Sequence, residues 1–326
     1  MKKSSSIGII FLLVLFSSCC HEKGRNSNQD LLTSWNEGPA KKEIIAFIER
    51  ITDSLNADYV KPSDRIAVFD NDGTLLCEKP NWFQMYFMVD RVRKLAAGHP
   101  EWKTKQPWKA ILENDTAYLA NLSYRENDEI CIRTQEKLTQ EELTKLYSDF
   151  YMTAKHPRFH VLFTDLTYHP MMQMMHLLEM KGFRNYVVTG GSVEFVRSFS
   201  ERTYGIPPEQ VIGTHFQYTF IDTITPSGVR LSAANYTVVV KEEKPENIAL
   251  VIGKRPVIAV GNSNGDLQML EYTDDRKGPS LQILIHHDDA TREYCYDDGT
   301  VQALQVAAKR KWTVVSMKND FKVMFR

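Results

Sequence analysis

Two carboxylates, Asp70 and Asp72, stand two residues apart at the end of a short apolar run, Ile66 to Phe69, and are followed by Gly73 and Thr74. The run reads as a buried strand. A carboxylate held at a strand end can attack an electrophile. A second one two residues on can carry a proton to or from a leaving group. Together they offer hard oxygen ligands of the kind Mg2+ takes, and Gly73 permits the turn that follows. Asp-Asn-Asp-Gly is equally good turn chemistry after any strand, so the decision rests on what the rest of the chain brings to the same place.

Two further apolar runs end in polar loops. Tyr186 to Val188 leads into Thr189, Gly190, Gly191 and Ser192, with Ser192 placed to cap a helix from Val193 to about Thr203. Pro256 to Val260 leads into Gly261, Asn262, Ser263, Asn264, Gly265 and Asp266, then a helix with Leu267, Met269 and Leu270. Ligands of an open α/β sheet bind outside the carboxyl ends of its strands. Parallel pairing would therefore gather Asp70, Asp72, Thr189, Gly190 and Asp266 at one mouth. Lys244-Pro245 reads as a helix start, since Pro suits the first helical position.

The elements around these loops follow from periodicity. Lys41 to Asn56 places Ile44, Ile48, Ile51 and Leu55 on one helical face. Pro170 to Met180 is helical, and its methionines read as core filler rather than metal ligands. His215 to Val240 alternates as paired strands, with Pro226-Ser227-Gly228 as the turn. Leu281 to Ile285 and Trp312 to Val315 are later strands. The stretch from Lys79 to about Asp165 differs. It carries Trp82, Phe83, Tyr86, Trp102 and Trp108, a capping box at Thr139 and Glu142, and no alternating strands. The chain thus reads as an α/β core at 41–78 and 166–326, interrupted by a mostly helical cap at 79–165.

These motifs resemble the haloacid dehalogenase-like superfamily in its phosphatase branch, from about Arg65 to Met269. Asp70 to Thr74 looks like the first motif and Thr189 like the second. Lys244 looks like the third, with Lys241 a near competitor, and Gly261 to Asp266 like the fourth. Thr189-Gly190-Gly191 and the helical insertion are similar to the phosphoserine-phosphatase subgroup. The resemblance implies a three-layer Rossmann-like core with a mainly parallel sheet and a helical cap. It also implies a Mg2+-dependent phosphatase acting on a small phosphorylated metabolite through an aspartyl-phosphate. Asp70 would be the nucleophile, and Asp72 the acid and then the base. Thr189, Gly190 and Lys244 would hold the phosphoryl group, and Asp70, Asp72, Asn262 and Asp266 would surround the metal. The fourth motif departs from the family at Asn262, where Asp is usual, so an oxygen is kept and a charge is lost. A phosphate-compound binding protein on a degenerate hydrolase scaffold is the alternative that this residue leaves open. The family's dehalogenases generally lack the second carboxylate, so Asp72 favours phosphate ester cleavage.

Composition narrows the partners. Lys plus Arg is 40 and Asp plus Glu is 41 in 326 residues, so nothing strongly basic points to nucleic acid. Lys2 and Lys3, the apolar run Ile7 to Phe16, and Ser17-Ser18 before Cys19 and Cys20 form an export signal of lipoprotein type over residues 1–19. Phe16 stands where such signals usually carry Leu. Cys19 is expected to carry the lipid, with 20–40 as a polar tether. The product would be exported and lipid-anchored on an extracytoplasmic bacterial membrane face, periplasmic or outer-membrane. No spacing among Cys20, Cys77, Cys131 and Cys295 compels a disulfide, and Cys77 reads as a free structural thiol. Glu78 suits either contact with a cationic group on the substrate or a solvated, helix-starting position. Trp82, Phe83, Tyr86 and Trp108 suit core packing better than an aromatic box for an amine. His286-His287-Asp288-Asp289 suits a polar loop better than a metal site. His156 and His160 suit a hinge or surface role.

Overall fold

The computed structural model describes residues 31–119, 121–223 and 228–325; the export-type leader with Cys19 and Cys20, and Pro226 and Ser227 of the expected turn, lie outside the described residues. At its centre is a seven-stranded sheet in the order β4-β3-β2-β1-β5-β6-β7. The strands are β1 (Ile66–Phe69), β2 (Arg184–Ser192), β3 (Val211–Ile221), β4 (Gly228–Thr237), β5 (Ile258–Gly261), β6 (Leu281–His286) and β7 (Thr313–Ser316). Every neighbouring pair is parallel except the β3–β4 hairpin at one edge. The longer helices are α1 (Pro39–Thr52), α2 (Phe83–Leu95), α3 (Tyr124–Gln135), α4 (Gln140–Tyr151), α5 (His169–Met180), α6 (Val193–Tyr204), α7 (Glu243–Ile252), α8 (Leu267–Asp274) and α9 (Val301–Arg310).

Side chains alternate across a strand, and β1 divides its residues between two cores. Ile66 and Val68 join Val188, Ala259 and Leu284 with residues of α7, α8 and α9. Ala67 and Phe69 join Val187, Val260 and Ile283 with residues of α1, α5 and α6. Helices on both faces make three layers, which is why the central strands read as unbroken apolar runs. Met171, Met174 and Met175 of α5 are buried in that core, as their pattern suggests.

Between β1 and α5 the chain leaves the sheet and forms helices. Capping boxes open α3 at Ser123 and Glu126, and α4 at Thr139 and Glu142. Phe83 stacks on Phe163 at 4.5 Å and meets Phe195 edge-on at 5.0 Å, and Trp108 stacks on Trp102 at 4.4 Å. These rings pack against one another and make no open aromatic box. The hairpin reaches this helical piece, because β3 is 11 residues long where β1 has four. Leu231 of β4 accepts from Lys137 N at 3.2 Å and donates to Leu138 O at 3.0 Å. His156, fully buried, ties the outgoing chain to the returning one: Nε2 lies 2.7 Å from Lys79 O, and Nδ1 accepts the backbone N–H of Arg158 and Phe159.

Three local expectations are corrected. Helix α1 stops at Thr52, with Asp53 at its C-cap in an extended conformation, so Leu55 stands 94% exposed rather than on the buried face. The described part of the expected tether is packed: Leu32 and Trp35 are buried, and Trp35 Nε1 donates to Pro170 O at 2.9 Å. Two apolar side chains in an otherwise polar stretch were enough to dock it. Ser192 does occupy the N-cap of α6, but its side chain makes no capping bond; its backbone N–H donates to Gln84 Oε1 at 2.8 Å.

Candidate active site

The strand order runs outward from β1 to β2 and β3, then returns to place β5 on the other side of β1. Strand β1 is therefore the point where the order reverses, and a crevice opens there beyond the strand ends. Asp70 is the first residue past β1, with its N–H donating to Val260 O of β5 at 2.9 Å. The Asn71 carbonyl then accepts from the N–H groups of Thr74, Leu75 and Leu76. Gly73, at φ +77°, makes that tight loop possible; a Cβ there would lie 2.0 Å from Asn262 Nδ2.

Lys244 on α7 is 2% exposed and joins three strand ends. Its ammonium lies 2.6 Å from Asp70 Oδ1, 2.6 Å from Asp266 Oδ1 and 2.8 Å from Val188 O. Lys241 is exposed, so Lys244 is the lysine of the site. The other oxygen of Asp266 accepts the N–H groups of Asn262 and Ser263, both at 3.0 Å, and the Ser263 hydroxyl at 3.1 Å. A carboxylate offers about four acceptor positions, and four protein donors converge on this one. In this geometry the contacts of Asp266 fix Lys244 and the 262–263 backbone.

On β2 the register slips between Thr189 and Ser192, and Gly190 and Gly191 swell out as a bulge. Thr189 Oγ1 accepts Gly191 N–H at 2.9 Å, and Thr214 Oγ1 donates to Gly190 O at 2.8 Å. A Cβ on Gly191 would lie 3.2 Å from Gln84 Oε1 and 3.9 Å from Asp72 Oδ2. The Asp72 carboxylate and the glycine bulge thus face one space, and Gln84 of α2 borders it. Asn262 Oδ1 accepts from Thr74 Oγ1 at 3.2 Å, a hydroxyl that is 3.4 Å from Asp70 Oδ2. Asn262 Nδ2 donates to Glu78 Oε1 at 3.1 Å. Glu78 Oε1 therefore meets this amide, and Oε2 is the other oxygen of a half-buried carboxylate.

Behind these residues lies a polar layer that the sequence did not reveal. His287, 1% exposed, has Nε2 2.8 Å from Gly73 O and Nδ1 3.2 Å from Glu293 Oε2. Glu293 also accepts from Tyr168 Oη and Cys77 Sγ, both at 3.1 Å. Cys77 is a free, buried thiol, as expected. The His286–Asp289 run is thus more than a polar loop, because His287 supports the Asp70–Thr74 turn. Its presence in a polar run was the only local signal; Glu293 and Tyr296 had none.

Electrostatics follow from burial. Burial pushes the Asp70 carboxyl well above the carboxylate range, and Asp266 beside it adds to the shift, together outweighing Lys244. Burial pushes Asp72 up to about 6 against a hydrogen bond from Asn71. Burial alone would lower Lys244, but the two carboxylates outweigh it and hold the ammonium charged. Glu293 is buried too, yet the His287 contact keeps it below its ordinary value. Among the described residues no group of three or more His, Cys, Asp or Glu side chains is set to hold a metal. The oxygens near Asp70 are instead mixed, carboxylate and amide. That suits Mg2+, which takes one or two carboxylates and fills its remaining positions with water and phosphate. An ionised Asp70 beside Asp266 would leave net negative charge over the one ammonium, and a divalent cation would offset it and favour the ionised form. The residues present fit the ion.

A carboxylate delivered at the reversal point of a parallel sheet, bridged by a buried lysine beside a glycine bulge, defines an α/β enzyme site rather than a structural ion pair. Residues 67–271, well over half of the chain, match the model of the haloacid dehalogenase-like hydrolase family, and the chain belongs to that family. Among solved structures, it is similar to a conserved functionally unknown protein from Anaerococcus prevotii DSM 20548, at 17% identity and TM-score 0.58 over 88% of this chain and 94% of that one. A protein with unknown function from Bordetella pertussis Tohama I matches at 16% identity and TM-score 0.47, over 77% of this chain and 97% of that one. A phosphoserine phosphohydrolase-like protein from Francisella tularensis subsp. tularensis SCHU S4 matches at 16% identity and TM-score 0.40, over 77% and 94%. At such identity the first speaks for a shared fold alone. No curated protein matches the chain.

Proposed function

We propose that this hydrolase is a Mg2+-dependent phosphatase that cleaves a small phosphomonoester through an aspartyl-phosphate on Asp70. The observation that carries the reading is the Lys244 ammonium 2.6 Å from the Asp70 carboxylate at the strand-order reversal, with Asp72 facing the glycine bulge across the same space. An Asp70 oxygen attacks phosphorus and the bond from phosphorus to the ester oxygen breaks. Asp72, pushed up to about 6, holds a proton in part of the population near neutral pH and passes it to the departing oxygen. Water then attacks the phosphorus of the aspartyl-phosphate, Asp72 takes its proton, the bond to Asp70 breaks and inorganic phosphate leaves. Thr189, the Gly190 amide and Lys244 hold the phosphoryl oxygens, the positions where charge must be met. Asp70, the Asp72 main-chain carbonyl and Asn262 would hold Mg2+, which would supply further positive charge there.

The binding-protein alternative rests on the missing charge at Asn262. The amide oxygen of that residue accepts from Thr74 Oγ1, a hydroxyl 3.4 Å from Asp70 Oδ2, and this supports a ligand oxygen kept at that place and hence the enzyme. A panel of phosphomonoesters, with Mg2+ and with a chelator, tests the proposal. Phosphate release should require Mg2+ and vanish in Asp70→Asn. Mg2+-dependent release retained in that variant would remove Asp70 as nucleophile. Tight binding of a phosphate compound without release from any ester would favour the alternative. We further propose export and lipid attachment at Cys19. Cys19→Ala should move the protein from the membrane to the soluble fraction, and unchanged membrane association would count against the lipid.

A further inference from the structure

An amide has one end that suits a cation and one end that repels it. If the Asn262 side chain turned over, it would present its –NH2 group to the metal position. On one side, Oδ1 accepts from Thr74 at 3.2 Å. On the other, Nδ2 donates to Glu78 Oε1 at 3.1 Å, and the same oxygen accepts the Tyr296 hydroxyl at 2.5 Å. An ionised carboxylate only accepts, so it pairs with the donor end of the amide and rejects the other. Tyr296 is itself held in place. Its ring stacks on His287 at 4.4 Å, its backbone N–H donates to His287 O at 3.0 Å, and the Lys79 ammonium lies 4.5 Å from its ring centre. The backbone of Asn262 is pinned as well, by Asp266 at its N–H and Thr300 Oγ1 at its carbonyl.

We propose that Glu78 is a positioning residue: with Tyr296 it turns the Asn262 oxygen toward the metal position beside Asp70, and it carries, one hydrogen bond further out, the negative charge that Asn262 lacks. The inference rests on the Mg2+ site of the phosphatase reading and assigns Glu78 a role other than contact with substrate. It has a consequence that packing alone would not produce. Moving the charge inward, by Asn262→Asp, removes the amide donor that Glu78 accepts from and sets a second carboxylate in its place.

The test is a calorimetric titration of Mg2+ into the full-length protein, with unfolding temperatures in Mg2+-free buffer to verify that each variant folds. In the natural sequence, Glu78→Gln should weaken Mg2+ binding about tenfold, the lower end of what loss of such an outer partner does to metal affinity. In the Asn262→Asp background the same change should tighten binding about tenfold, because the glutamine can donate where the glutamate could only repel. Tyr296→Phe in the natural sequence should weaken binding in the same direction as Glu78→Gln, by less. An effect of Glu78→Gln with the same sign in both backgrounds, or no effect in either one, overturns the inference and leaves the Mg2+ site standing. A natural protein that takes up no Mg2+ removes the metal reading itself, and the inference falls with it.

Discussion

Lys244→Met takes away an ammonium and leaves a side chain of similar length. Lys244 is 2% exposed and lies 2.6 Å from each of two carboxylates. Removing one partner of a buried ion pair typically costs about 3–5 kcal/mol, because the remaining charge is left buried and uncompensated. The value expected here is about 3 kcal/mol, the low end of that range. Two features of the structure argue for the low end. Burial and Asp266 already push Asp70 toward its protonated form, so it can shed its charge. Asp266 keeps three donors on Oδ2 after the lysine is gone.

The pH dependence distinguishes lost charge from lost packing. A lysine held above its ordinary value stabilises the fold fully below its unfolded pKa, and that contribution is lost only as pH rises through the raised value. The natural protein therefore keeps the lysine's contribution at neutral and mildly acid pH. In the variant the two buried carboxylates have no counter-ion, so the folded state gains by taking up a proton there. The folded state then binds more protons than the unfolded chain, and the variant's stability increases as pH falls from about 7 toward about 5. Urea unfolding of both proteins at the two pH values, without Mg2+, should show a deficit that shrinks on acidification. A deficit under about 1 kcal/mol, the same at both pH values, would mean that Lys244 is no essential counter-ion, and the reasoning would fail.

Three further outcomes are expected. Gly73→Ala places a Cβ 2.0 Å from Asn262 Nδ2 at φ +77°, so it should abolish most phosphate release and lower stability by about 2 kcal/mol; near-normal activity would show that the turn can move aside. With Asp72 as the acid at about 6, release from alkyl phosphates should decline above that pH, while aryl phosphates with good leaving groups should stay flat; superimposable profiles would remove Asp72 as the acid. Asp70→Asn takes away one of two carboxylates that compete for Lys244, so its unfolding temperature in Mg2+-free buffer should equal or exceed that of the natural protein; a large drop would show the Asp70 charge to be stabilising.

What could be read in advance was local. Ile66–Phe69, Val187–Val188 and Ile258–Val260 are buried on both faces, so each reads as an apolar run, and a polar loop follows each. Their convergence needed only the assumption of parallel pairing. The hairpin showed its alternation, but its reach to Lys137 and Leu138 depends on a contact almost a hundred residues away. Leu55 was misplaced because an apolar residue in helical register continues the pattern after the backbone has left the helix. Leu32 and Trp35 were misread because composition averaged them into a polar stretch. The bonds of Asp266 to Lys244 and to the 262–263 backbone could not be seen at all, because they depend on the orientation of its carboxylate, which sequence does not carry.

The larger gap concerns where the site is completed. The family match ends at residue 271, yet His287, Glu293, Tyr296 and Thr300 lie beyond it. His287 holds the carbonyl of Gly73, Tyr296 meets Glu78, and Thr300 supports the Asn262 carbonyl. A turn as tight as Asn71–Leu76 buries backbone oxygens that its own length cannot satisfy, and a buried carbonyl left without a donor costs about 1–3 kcal/mol. The Asp70–Thr74 motif is therefore short in sequence but not self-sufficient in space. Its geometry is fixed by His287, more than two hundred residues away, at the end of a continuous layer that runs from Tyr168 and Cys77 through Glu293 and His287 to Gly73. A change in the 286–300 segment should therefore act on the catalytic turn without touching any residue of the recognised motifs.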